Sequence, residues 1–124
     1  MNWLLDSPQG DIKVGLKDEL AISVMDVLDI PQGSFVFDPY ADSRISAHRV
    51  SRLAENIRHA ISELTEQRRR KIMKRLHLPE WPSWAQTVLD DETAKDPLLE
   101  VLEKLSRLCT KAMELDCGII VLGD

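Results

Sequence analysis

Residues 96–124 constrain the fold more than any other stretch, because a capped amphipathic helix there runs into a short, wholly apolar segment. Asp96 offers the N-cap carboxylate, and Pro97 suits the first helical turn, where its missing N–H costs nothing. Leu98, Val101, Leu102, Leu105, Leu108, Cys109, Ala112 and Met113 recur at spacings of three and four, which lays one apolar stripe along about five turns. Glu100, Glu103, Lys104, Arg107, Lys111 and Glu114 fall between them as the solvated face. Gly118 is expected to take the left-handed conformation that ends such a helix. The apolar run at 119–122 is too short for another helix and predicts a buried strand. That strand is expected inside a sheet, since a fully apolar strand at an open edge would invite aggregation.

The remaining elements are read from the same two periodicities. Residues 2–5 and 11–16 predict the arms of a hairpin: Ile12, Val14 and Leu16 alternate with polar or small residues, and residues 6–10 (Asp-Ser-Pro-Gln-Gly) are turn chemistry. Between 18 and 29, Leu20, Ile22 and Val24 alternate like a strand, whereas Leu20, Val24, Val27 and Leu28 keep helical spacing. We read a helix, capped by Asp18 and stopped before Pro31. Residues 34–37 (Ser-Phe-Val-Phe) predict a short strand, and 40–44 a polar loop. Ser46 offers a second N-cap, followed by Val50, Leu53, Ala54, Ile57, Ala60, Ile61 and Leu64 on one stripe. A bend or restart is expected near Thr65, because Arg68 stands where that stripe requires an apolar residue. Ser83 and Gln86 have capping-box spacing for a short helix to about Leu89, and 90–95 reads as a charged loop. The expected architecture is a single α+β domain. Its small mixed or antiparallel sheet (the N-terminal hairpin, the strand near 34–37 and the strand at 119–122) is packed against two long amphipathic helices.

With 124 residues, 44% of them hydrophobic and 30% charged, the chain is large enough to bury one core. No window reaches the roughly 18 consecutive apolar residues of a membrane span, and the amino terminus lacks a basic lead, so a cytoplasmic protein with no membrane association is expected. Cys109 and Cys117 would lie about 12 Å apart on a regular helix. A disulfide requires less than about 7 Å between Cα atoms, so both thiols are expected to be free.

The net charge of −5 conceals a strong asymmetry. Residues 68–75 carry six cations (Arg68, Arg69, Arg70, Lys71, Lys74 and Arg75) and no acid, which leaves the rest of the chain at −11. Residues 76–124 hold ten acids against four lysines and arginines. Such a half repels nucleic acid and attracts a basic partner. The basic run is the best nucleic-acid signal. Six charges in eight residues wrap most of a helix, and no aromatic is interleaved for base stacking, so a solvated helix, or one lying against the acids at 90–92, explains it better.

Catalytic and metal-binding signatures are missing. His48 and His59 would stand about 16 Å apart along a helix, too far to share a metal. No HExxH, CxxC, GxSxG or glycine-rich phosphate loop occurs. We therefore expect no catalytic residue, no metal and no cofactor. The acids at Asp38, Asp42, Asp90, Asp91 and Glu92 are expected in loops, where they could meet a basic surface. Trp81 and Trp84, in a Pro-containing connection, are expected to divide into one buried ring and one partly exposed anchor.

The late helix from Asp96, the ending at 117–124 (Cys-Gly-Ile-Ile-Val-Leu-Gly-Asp) and an echo at 33–38 (Gly-Ser-Phe-Val-Phe-Asp) resemble the small cytoplasmic immunity proteins of bacterial toxin systems. The likeness covers about a third of the chain. It implies a protein that binds a cognate toxin domain and blocks its active site, with no toxin class and no residue role carried over. The alternative expectation is a nucleic-acid-associated regulator using the basic run.

Overall fold

A computed structural model describes residues 2–7, 12–28 and 43–122. Along these residues the elements are β1 (Asn2–Asp6), β2 (Lys13–Gly15), α1 (Asp18–Leu28), β3 (Ser43–Ile45), α2 (Ala47–Arg75), α3 (Ala85–Ala94), α4 (Pro97–Glu114) and β4 (Gly118–Leu122). The strands form one antiparallel sheet in the order β2-β1-β4-β3. The fold is α+β as expected, with two long helices, α2 and α4, against the sheet.

The hairpin forms in the expected place, with Trp3 opposite Val14 and Leu4 opposite Lys13. β4 pairs with β1 along its whole length, from Gly118 opposite Asp6 to Leu122 opposite Asn2, and with β3 on its other side. The apolar strand is thus interior, and its backbone polar groups have partners on both flanks. Trp3, Leu5, Val14, Ile45, Ile119 and Val121 are the strand residues of the core, joined by Ala21 and Val24 of α1, Val50 to Ala60 of α2 and Val101 to Ala112 of α4.

Helical spacing prevails over alternation in α1. Ala21 and Val24 are buried, whereas Ile22, which the strand pattern would place beside Leu20 and Val24, is 49% exposed. The expected strand at 34–37 lies outside the described residues. Ser43 and Arg44, read as the end of a polar loop, instead belong to β3, opposite Val121 and Ile120. Three residues, two of them polar, are too few to show a period of two.

The expected interruption near Thr65 is absent: α2 runs unbroken for 29 residues, about 43 Å. Arg68 does not break the stripe because its guanidinium meets the Asp96 carboxylate at 2.7 Å. Ile72 then resumes the buried face. The helix ends with His77 in the left-handed region (φ 54°), where the Leu78 amide donates to the Met73 carbonyl at 2.9 Å. Ser46 occupies the N-cap position of α2, but its hydroxyl makes no capping hydrogen bond.

α4 begins as expected, with Asp96 accepting from the amides of Leu98 and Leu99 at 3.0 and 3.4 Å. Two details of its stripe differ. Leu99 is buried, and Met113 is 41% exposed. Its end also departs from expectation. Asp116, not Gly118, takes the left-handed position (φ 50°), and the Cys117 amide closes the turn on the Ala112 carbonyl at 3.0 Å. Gly118 is needed for a different reason, since a Cβ there would run into the carbonyl oxygen of Ile45 on the neighbouring strand. Among the described residues no helix is long and apolar enough to cross a membrane. Both cysteines are free thiols.

Candidate interaction surface

The long helix α2 delivers the basic run to one side of α3, and its own chain answers most of those charges. Arg68 meets Asp96 at 2.7 Å, and Arg75 meets Glu92 at 2.6 Å. Arg69 and Arg70 both reach Glu66, at 3.0 and 3.6 Å. The Arg69 guanidinium also lies over the Trp81 ring, 5.3 Å from its centroid, a cation–π contact that holds the α2–α3 connection against α2. Lys71 and Lys74 have no ion-pair partner among the described residues.

The acids at 90–92 are not in a loop. α3 extends to Ala94, so Asp90, Asp91 and Glu92 occupy consecutive helical positions about 100° apart and point in three directions. Glu92 turns in to Arg75. Asp91 faces Lys95 at 3.5 Å on the exposed side. Asp90 accepts from the Gln86 amide at 2.9 Å and lines a shallow cleft with Thr93 and Ala94 of α3 and Glu100 and Glu103 of α4. The helix outruns the expected stop at Leu89 because Leu89 is itself buried and the next turn is drawn in by Glu92. Nor does Ser83 cap α3: Trp84 holds that position in helical conformation, with no side-chain capping bond.

The cleft, about 270 Å³, is walled by three carboxylates. Glu100 is matched by Lys104 at 3.2 Å, while Asp90 and Glu103 face no cation among the described residues. Trp84, at the start of the same α3, is 54% exposed, and Trp81 is half-buried beneath Arg69. Of the acids expected to bind a partner, Asp90 reaches the cleft and Asp91 lies on the exposed side. Glu92 is used internally, and Asp38 and Asp42 lie outside the described residues. Glu100 and Glu103 were legible only as part of the solvated face of α4. Their approach to Asp90 depends on α3 being helical through 94.

The side-chain chemistry elsewhere is sparse. His59 pairs with Glu63 on the surface at 3.1 Å, and His48 and His77 are exposed. Burial pushes the Cys109 thiol up to about 12, which keeps it protonated and poorly nucleophilic. Among the described residues no group of His, Cys, Asp or Glu is arranged to hold a metal ion. Two unmatched carboxylates in an open cleft are suited to receive a lysine or arginine from another molecule.

These features define a small α+β protein with an acidic face between α3 and α4 and an exposed tryptophan on α3. No family model, no curated protein and no solved structure matches the chain.

Proposed function

We propose that the protein is a non-catalytic binding protein of the immunity or antitoxin type, which acts in the cytoplasm by covering the active site of a basic cognate toxin enzyme. The observation that carries this reading is the α3–α4 cleft, where Asp90 and Glu103 meet no cation among the described residues. A partner's lysine or arginine entering between them would gain charge-assisted hydrogen bonds. Trp84 offers a rigid apolar surface on the same helix, of the residue type that dominates binding energy at interfaces. The nucleic-acid alternative is left with little free charge, since Arg68, Arg69, Arg70 and Arg75 each meet an acid of the same chain.

The test is coexpression with the product of the neighbouring reading frame, reading complex formation and relief of toxicity. Asp90→Asn combined with Glu103→Gln should weaken the complex and make its association less salt-dependent. Absence of a complex, with toxicity unrelieved, would sink the proposal.

A further inference from the structure

Ile72, Ala85, Leu89 and Leu99 are buried but stand apart from the main core cluster. They come from the second half of α2, from α3 and from the first turn of α4. α3 therefore has a small apolar anchorage of its own, two side chains of which one is alanine. Beside the half-buried Leu78, Trp81, Pro82 and Val88, three charged contacts surround that anchorage: Arg75–Glu92, Arg68–Asp96 and the Arg69 guanidinium over Trp81. On either side the regular helix is interrupted, at 76–84 and at Lys95–Asp96. Segments with few buried apolar contacts, joined by partly exposed ion pairs, open at lower free energy than a packed core.

We propose that α3 and the 76–84 connection form an acidic strap that opens as one unit while the main core stays closed. Closure does two things at once. It brings Asp90 and Thr93 beside Glu100 and Glu103, which builds the cleft, and it sets Glu92 against Arg75 and the Trp81 ring under Arg69 of the basic run of α2. Opening dismantles the cleft, frees Arg75 from Glu92 and uncovers Arg69 from the Trp81 ring, while Arg68 stays with Asp96 at the head of α4. A partner that needs the cleft then binds only the closed form, and its binding must protect the strap from opening. This regulatory consequence rests on the cleft being the partner surface proposed above, whereas the opening itself does not.

Amide hydrogen exchange on the free 124-residue chain reads the strap directly. The amides of 86–94 should exchange about tenfold or more faster than those of 102–112, which report the main core. Arg75→Gln and Glu92→Gln should each speed exchange in α3 by about two- to fivefold and leave α4 unchanged. Raising the ionic strength should act in the same selective way. Equal exchange in α3 and α4, or acceleration of both together by either substitution, would overturn the proposal by showing one cooperative unit. Because no partner is present, this failure is distinct from failure of the binding reading, which coexpression reads.

Discussion

Arg68 of α2 and Asp96 at the head of α4 meet at 2.7 Å, with only 34% and 18% of their side chains exposed. The same Asp96 carboxylate receives the amides of Leu98 and Leu99 through its other oxygen. One residue thus caps one long helix and neutralises the cation that lets the other run straight.

Asp96→Ala removes both roles and should destabilise the protein by about 2–3 kcal/mol, roughly 1 from the lost cap and the remainder from the unpaired Arg68. Asp96→Asn keeps a capping oxygen and should cost about half as much. Urea unfolding of both variants, compared at unchanged m-value, measures the difference.

Gly118→Ala should destabilise by about 1–3 kcal/mol, because the new methyl group meets backbone that cannot turn aside as a side chain can. The loss should centre on the β3–β4 pairing. Faster amide exchange in β3, with a lowered Tm, is the expected result. An unchanged Tm would contradict the close approach of Ile45 to this position.

His77→Gly should stabilise the protein by about 0.5–1 kcal/mol, since His77 holds a left-handed conformation that glycine adopts without strain. The gain is net of glycine's extra freedom in the unfolded chain. Thermal unfolding reads it as a raised Tm.

Cys109 should confer a pH dependence at the alkaline end. Its folded-state value of about 12 lies above the ordinary 9.0. Below about pH 9 the thiol is protonated in both states and contributes no pH dependence. Between about 9 and 12 only the unfolded chain loses the proton, so stability falls with rising pH, at up to about 1.4 kcal/mol per unit. Cys109→Ala should flatten that slope in alkaline urea titrations, at a cost in overall stability from the vacated volume.

The outline of this fold was legible where a period ran long enough to be unmistakable. The stripe beginning at Leu98 identifies α4, the stripe beginning at Val50 identifies α2, and the run at 119–122 identifies an interior strand. Local pattern misleads where it competes with a distant contact. Arg68 looked like an interruption because its partner lies 28 positions away. The acids at 90–92 looked like a loop because three adjacent charges have no face of their own until Arg75 draws one of them inward. β3 is too short for any period to show.

The candidate surface was less legible than the fold. Charge alone points to Asp90, but Glu100 and Glu103, which share its cleft, read in the sequence only as part of a solvated face. One of Trp81 and Trp84 is expected to be buried, yet Trp81 is only half-buried and Trp84 is 54% exposed. That Arg69 covers Trp81 follows only from where α2 and the α2–α3 connection cross.

By itself, the sequence determined the α+β class, the capped start of α4, the hairpin and the interior place of the last strand, because each rests on neighbours within a turn or a strand. Tertiary structure alone decided that α2 runs unbroken, that Gly118 serves close packing and that most of the basic run is answered from within. Those outcomes depend on charges and backbone brought together from distant positions, where Coulomb attraction and steric exclusion act over a few ångströms of space and not along the chain.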